Sequence, residues 1–239
     1  MRSPSRAPLV TVLIALVLAA CGSQAPSAAD EAHALFIRAV DRMLTLQSIR
    51  VHGELDPAGG LLGGPDKATF DADIDAAKTA AHVEGRSSEP TAKPVRVIVK
   101  DGVWWIDTGS GFDKQGGGML PIPAGDDLRS AITNFASDAR LQVTSADVAC
   151  AGRTCHRLTA VVPPELVWER FASLGRTLLP LPDALPAGAP TAQVILDVDS
   201  ETFDPYRMDV QATLGGQPLH LVVEGSLHDQ PMTIEPPAG

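Results

Sequence analysis

The stretch Val97-Ile-Val-Lys-Asp-Gly-Val-Trp-Trp-Ile-Asp107 places two apolar runs on either side of an Asp-Gly pair. Asp-Gly readily adopts the positive φ angles of a type I′ turn, so the stretch predicts a β-hairpin. Neighbouring residues of a strand point to opposite faces, so Trp104 and Trp105 must lie on opposite sides of the sheet. One of them faces the core, and the other either lies beneath a covering helix or lines a cavity or an interface.

Strand patterns continue on both sides of this hairpin. Ile49–Leu55 and Phe70–Ala76 alternate apolar and polar residues, which is typical of antiparallel strands with one solvated face. Further strands are predicted at 80–85, 95–100, 103–107, on both sides of residues 150–155, and at 191–199, 206–214 and 219–227. Three helices interrupt these nine or ten strands without alternating with them, so we expect an α+β fold with a mostly antiparallel sheet.

The first predicted helix covers Ser27–Gln47, where apolar residues recur every three or four positions. Ser27, with Asp30 three residues later, can cap its start. A shorter helix is predicted from Asp126 or Asp127 to about Ala136, and a third opens at Pro163-Pro164, because proline is tolerated in a first helical turn.

The N-terminus has the pattern of an export signal. Arg2 and Arg6 precede an apolar run and two small residues, and the tetrapeptide Leu18-Ala19-Ala20-Cys21 looks like the bacterial lipobox, whose cysteine becomes lipid-modified. The alternative is an ordinary secretory signal with a chance cysteine. We expect a lipoprotein signal peptide at 1–20, a flexible tether at 21–29 and one domain at 30–239, anchored through Cys21 on the extracytoplasmic face of the cell membrane.

The other two cysteines, in Cys150-Ala-Gly-Arg-Thr-Cys155, lie between two predicted strands. In an oxidising compartment this spacing favours a local disulfide across a hairpin turn. The alternatives are a redox pair and half of a metal site. A redox pair prefers the tighter C-x-x-C spacing, and a zinc site needs two further ligands that are not nearby.

Charge and composition exclude several classes of function. The 239-residue chain has 19 Lys and Arg against 29 Asp and Glu, a formal net charge of −10, and this acidity argues against nucleic-acid binding. The six histidines show no metal-binding spacing, and the acidic row Asp71, Asp73 and Asp75 fits a solvated strand face better than a calcium loop. We therefore expect neither a metal nor a cofactor.

One motif resembles an active site. Asp107-Thr-Gly-Ser110 matches the loop of aspartic proteases, but that chemistry needs two carboxylates and the chain has no second copy of the motif. The same composition is common in turns. No other catalytic constellation is present, so we do not expect an enzyme.

Two segments carry a family resemblance. The hairpin at Val97–Asp107 and the segment Val194–Arg207, in which Asp-Pro precedes the returning strand, resemble hairpins of the LppX/LprG family of bacterial lipoproteins and of LolA-like carriers. The resemblance implies a curved antiparallel half-barrel with helices on its concave face, enclosing an apolar cavity for acyl chains. The candidate cavity residues are Phe36, Val40, Met43, Trp104, Ile132, Phe135, Val167 and Phe171.

The expected function is therefore that of a lipid-anchored carrier or binder of hydrophobic ligands, such as an acylated lipid or lipoglycan. An envelope transport protein is a candidate partner. The alternative is a non-catalytic interaction or sensor lipoprotein in which the same residues form a filled core and a tryptophan contacts a partner.

Overall fold

A computed structural model of the protein describes residues 27–57, 67–115, 125–150, 152–163, 165–166, 192–214 and 217–237. The described residues form two helices and eleven strands. In chain order these are α1 Ala28–Thr45, β1 Ser48–Pro57, β2 Ala68–Asp75, β3 Ala80–Ser87, β4 Val95–Lys100, β5 Val103–Asp107, β6 Phe112–Gln115, α2 Gly125–Ala136, β7 Gln142–Cys150, β8 Arg153–Val162, β9 Ala192–Asp199, β10 Pro205–Leu214 and β11 Gln217–Ser226.

All eleven strands belong to one sheet in the order β6-β5-β4-β3-β2-β1-β11-β10-β9-β8-β7. Every neighbouring pair is antiparallel. The first and last strands, β1 and β11, join two meanders near the middle of the sheet. The predicted α+β class with an antiparallel sheet is confirmed, and so is the hairpin at 97–107.

The predicted strand count was too low by at least one. The sequence pattern predicts no strand between residue 107 and the helix at 126, yet Phe112–Gln115 forms β6, which pairs with β5 so that Lys114 lies opposite Trp105. A four-residue strand among glycines is too short to show a period of two. Its existence depends on the neighbouring strand and not on its own sequence.

The helix predictions at 27–47 and 126–136 are confirmed within two residues. Ser27 and Asp30 form the expected capping box at the start of α1, since the Asp30 N–H donates to Ser27 Oγ at 3.2 Å and the Ser27 N–H donates to Asp30 Oδ2 at 3.1 Å. Of the helix predicted to open at Pro163, residues 165–166 are helical and the continuation lies outside the described residues.

The strand register separates the sheet into two chemically different faces, because residues directly opposite each other point the same way. The face that contacts α1, the inner face, carries apolar residues such as Leu158, Leu196 and Val223. The other face, the outer face, carries ion pairs between neighbouring strands, such as Arg157–Asp197 and Arg50–Asp73.

The main core lies between α1 and the inner face. The helix packs against β7, β8, β10 and α2. Phe36 projects from α1 and is 2% exposed. The buried residues of this cluster are Ala32, Phe36, Ala39, Val40, Ala136, Leu141, Val143, Leu158, Ala160, Val162, Leu166, Leu196, Val198 and Phe203.

A second, smaller core lies on the outer face of β3–β6. Here residues 227–237, the C-terminal segment, bring Ile234 against Ala80, Ile98 and the partly buried Trp105 and Phe112. Two lysines, one in the β2–β3 turn and one at the end of β4, hold the segment in place. Lys78 Nζ donates to the Met232 carbonyl and Lys100 Nζ to the Ile234 carbonyl, each at 3.0 Å.

One arginine links α1 to the turn between β9 and β10 and to the C-terminal segment. Arg42 Nη2 donates to Asp204 Oδ1 and to Asp229 Oδ2, each at 2.6 Å. The Gln47 N–H also donates to Asp229 at 2.7 Å, and this hydrogen bond together with Arg42 lowers the pKa of the Asp229 carboxyl. The end of α1 is thereby held against the β9–β10 turn and the C-terminal segment.

We expect Phe36→Ala to lower the free energy of unfolding by about 3–5 kcal/mol, because it removes a buried ring and leaves a cavity between α1 and the sheet. Urea unfolding followed by circular dichroism measures the loss. Asp41→Ala, an exposed change on the same helix, serves as the control and should be within about 0.5 kcal/mol of wild type. Equal stabilities for the two variants would show that α1 does not supply the main core.

Candidate functional site

A row of apolar residues and glycines crosses eight strands of the inner face. In register order the row is Leu158, Leu196, Met208, Val223, Gly53, Phe70, Gly85 and Val95. Apart from Gly53, which the Phe70 ring covers, burial falls along it: Leu158 is fully buried near α1, Met208 and Phe70 are half-buried, and Val95 is 43% exposed. The apolar surface therefore extends beyond the part of the sheet that α1 contacts.

Two further rows lie beside the first one. Their members are Val51, Ala72, Val83, Val97 and Ile106 in one row and Ile49, Ile74, Ala81, Val99 and Trp104 in the other. We call the inner-face residues of β1–β5 the distal half. It carries no charged side chain from Ile49 to Leu55, from Phe70 to Ile74, or on β3–β5. At about 4.8 Å per strand it is about 19 Å wide.

The structure groups five of the predicted cavity residues and separates the sixth. Phe36 and Val40 are buried in the main core, where Met43, Ile132 and Phe135 are partly buried against them. Trp104 lies instead in the distal half, on β5. The other two predicted residues, Val167 and Phe171, and the predicted lipid-modified Cys21 lie outside the described residues.

Sequence reasoning missed the distal-half residues of β2–β4, among them Phe70, Val83 and Val97. The sequence pattern correctly predicted that the three segments containing these residues are strands. The pattern did not reveal the register between strands, which places these side chains on the same face as Trp104. The shared face depends on pairing between strands, which the pattern within one strand does not determine.

The two neighbouring tryptophans do point to opposite faces. Trp105 packs into the second core beneath the C-terminal segment, so its cover is neither the helix nor the cavity or interface that the sequence left open. Trp104 is half-buried on the inner face opposite Val99. A probe that occupies the distal half would therefore contact Trp104 and not Trp105.

No protein-family model matches the sequence, and neither does any curated protein. Solved structures match along most of the chain. The lipoprotein LppX of Mycobacterium tuberculosis is 16% identical, with 86% of this chain and 98% of LppX covered and a TM-score of 0.54. LprF of Mycobacterium bovis is 14% identical, with 90% and 100% covered and a TM-score of 0.58. The chain has the LppX/LprF fold. The predicted resemblance is thus confirmed in the fold.

On the outer face of this LppX-type sheet, charged side chains of neighbouring strands pair with each other. Arg157 donates to both carboxylate oxygens of Asp197 at 2.7 Å, and Arg50 donates to Asp73 at 2.5 and 2.8 Å. His52 hydrogen-bonds Asp71 at 2.8 Å, which raises the pKa of the imidazole. These cross-strand pairs stabilise the strand register, and they leave the outer face polar.

The acidic row of β2 is only partly the solvated face that we expected. The side chains of Asp71 and Asp73 pair with β1, but the Asp75 carboxylate is buried. It accepts hydrogen bonds from the Lys78 N–H at 3.0 Å and from Lys78 Nζ at 2.8 Å, which lower the pKa of Asp75. Asp75 thus closes the β2–β3 turn. Among the described residues no group of three or more His, Cys, Asp or Glu is arranged to hold a metal ion.

Asp107, the aspartate of the protease-like motif, has a structural role in this LppX-type fold. Its side chain is 1% exposed and accepts hydrogen bonds from the backbone N–H groups of Gly109 at 2.7 Å and Gly111 at 2.9 Å. Arg96 on the neighbouring strand pairs with the same carboxylate. These interactions, the Gly109 bond foremost, lower the pKa of Asp107. The motif is a turn that joins β5 to β6.

Cys150 and Cys155 form the expected disulfide, with Cα atoms 5.9 Å apart. They close the β7–β8 hairpin, and Cys155 is fully buried. Both sulfurs are therefore used within one turn of the LppX-type sheet. In the part of the chain that the structure describes, no helix is long and apolar enough to cross a bilayer.

We expect acid to destabilise the protein through Asp107. Since its folded-state pKa lies below the usual 3.8, its stabilisation is present above that value and is lost as the pH falls through the lower folded-state pKa. Asp107→Asn lacks this contribution, so it should be less stable at neutral pH and should lose less stability between about pH 4 and pH 2. Urea midpoints measured across this range test the expectation.

The control is Asp113→Asn, which changes an exposed carboxylate on β6. Its midpoints should follow those of the wild type at every pH. If the Asp107→Asn midpoints run parallel to wild type down to about pH 2, Asp107 does not stabilise the β5–β6 turn as a carboxylate.

Proposed function

We propose that the protein binds and carries hydrophobic ligands, with their acyl chains on the distal half of the inner face. The observation that carries the proposal is the apolar row from Leu158 to Val95. The exposed fraction is 0% at Leu158, near α1, and 43% at Val95, at the far end of the row. Apolar surface removed from water contributes about 25 cal/mol per Å², so a hydrocarbon chain gains free energy by covering these residues.

The chemistry of the two faces supports a ligand and not a solvent-exposed surface. Ion pairs occupy the outer face, and the apolar cluster of its β3–β6 part lies under the C-terminal segment. The distal half has no such charged pairs among its described residues. Apolar walls with few polar groups are typical of sites for hydrophobic small molecules.

The proposed ligand contacts begin with Trp104 and its neighbours of the distal half. On the side of the proposed site nearer the helices, the contacts are Met43, Ile132 and Phe135, which are partly buried against the main core. Phe36 and Val40 lie beneath them in the main core. Val167 and Phe171 remain proposed ligand contacts on the sequence pattern alone. No reaction is part of the proposal, so we regard the protein as a binder without catalysis.

The proposal includes the membrane anchor predicted from the sequence. Cleavage after residue 20 and acylation of Cys21 would hold domain 30–239 at the extracytoplasmic face through tether 21–29. The fold shared with LppX, a lipoprotein, supports this placement. An anchored carrier could exchange its ligand with the membrane or with an envelope transport protein.

We expect Cys21→Ala to release the protein from the membrane, because the cysteine thiol is the proposed attachment point of the acyl groups. Fractionation of cells, followed by immunoblotting of membrane and soluble fractions, measures the release. Cys150→Ala in the same vector controls for the loss of a cysteine elsewhere and should stay with the membrane. Membrane-bound Cys21→Ala would rule out the lipid anchor.

Ligand binding can be tested by quenching of tryptophan fluorescence with dibromostearate. The experiment uses the full chain with Cys21→Ala and Trp168→Phe, so that Trp104 and Trp105 are the remaining tryptophans. We expect saturable quenching that Trp104→Phe removes. Trp105→Phe is the matched control and should retain it, because Trp105 lies on the opposite face beneath the C-terminal segment.

Unquenched fluorescence at every dibromostearate concentration would contradict the carrier proposal and favour the interaction or sensor lipoprotein. Quenching that follows Trp105 instead of Trp104 would place the ligand on the outer face and contradict the site. Native mass spectrometry of the protein exported by its own host identifies the bound lipid by its mass.

A further inference from the structure

Three glycines lie within the described strands Ser48–Pro57, Ala80–Ser87 and Gln217–Ser226. A strand glycine weakens the strand, so each one calls for a physical reason. At Gly53 a side chain would overlap the ring of Phe70, and at Gly225 it would collide with the Pro205 carbonyl oxygen. These two positions exclude larger residues by packing.

Gly85 on β3 has no such reason among the described residues. The nearest described atoms to a Cβ placed there are the carbonyl oxygens of Val95 at 3.9 Å and Thr69 at 4.0 Å, which is ordinary van der Waals contact. Its φ also lies outside the left-handed region that favours glycine. Neither the backbone nor the described neighbours require a glycine, and a glycine of this kind in a strand can mark the close approach of a ligand.

The neighbours of Gly85 form a slot above it. Register places Phe70 on one side and Val95 on the other, both on the inner face. The Phe70 ring leans towards Gly53, away from Gly85, and Val95 is 43% exposed. Two strand spacings of about 4.8 Å put the backbones of the two strands that carry these walls about 10 Å apart. The floor continues along β3 through Val83 and Ala81.

The width of this slot selects the ligand. Carbon atoms in contact lie about 4 Å apart, so one hydrocarbon chain needs about 8 Å between the walls and two chains side by side need about 12 Å. We infer that a single unbranched acyl chain lies directly on the β3 backbone at Gly85, between Phe70 and Val95. This inference rests on the proposed function and adds to it a residue that determines specificity.

The test is a size series at Gly85 in the Cys21→Ala, Trp168→Phe full chain, with dibromostearate affinity measured by quenching of Trp104. Gly85→Ala should weaken binding several-fold and Gly85→Leu at least tenfold, since each side chain lifts the hydrocarbon off the backbone. Thermal unfolding temperatures should stay equal to wild type or rise, because the new residues favour the strand. Ala146→Leu, an exposed change on the outer face of β7, is the matched control and should bind like wild type.

The outcomes separate the two levels of the hypothesis. Binding of dibromostearate by wild type and by Gly85→Leu with the same affinity overturns the inference and leaves the carrier proposal standing. Absence of binding by wild type overturns the carrier proposal itself. Cholesterol, a fused-ring lipid, should displace dibromostearate from wild type at least tenfold less effectively than stearate does, and equal displacement would contradict the single-chain slot. If Gly85→Leu does not fold, Gly85→Ala alone decides, and unchanged affinity would overturn the inference.

Discussion

Antiparallel pairing of strands that alternate apolar and polar residues gives this sheet one mainly apolar face and one mainly charged face. Eight of the strands each add an apolar residue or a glycine to the inner face in the row from Leu158 to Val95. Covering an apolar face of this size is favourable, because exposed hydrocarbon is unfavourable in water. The helix α1 covers the part at β7, β8 and β10. The rest of the architecture follows from how the remaining apolar surface is covered.

The two ends of the described chain hold this arrangement together. Because β1 pairs with β11, the strand after α1 lies beside the strand before the C-terminal segment. Arg42 uses this proximity to bridge Asp204 and Asp229, and Ser48 Oγ donates to the Gln230 carbonyl at 2.6 Å. The same segment then crosses to Ile98 on the outer face. The helix on one face and the segment on the other are therefore anchored at one place.

The parts of the fold that the sequence could predict are those that depend on residues close together in the sequence. The hairpin at 97–107 and the capping box at Ser27 are local, and both are correct. The pairing of β1 with β11, the short strand β6 and the cover over Trp105 depend on contacts distant in sequence. Helical periodicity likewise identified Phe36 and Val40 as inward-facing, but it could not distinguish a filled core from a ligand site.

That distinction is set by where the helices lie on the sheet. Residues of α1 are buried because they meet β7, β8 and β10, whereas Trp104 and Phe70 share the same face farther away and are only half-buried. A hydrocarbon ligand on the distal half would cover apolar residues there, as α1 covers those at β7, β8 and β10. Binding and stability are then linked, because a ligand that binds only the folded state stabilises it by mass action. The charged outer face meanwhile keeps the protein compatible with water whether or not a ligand is bound.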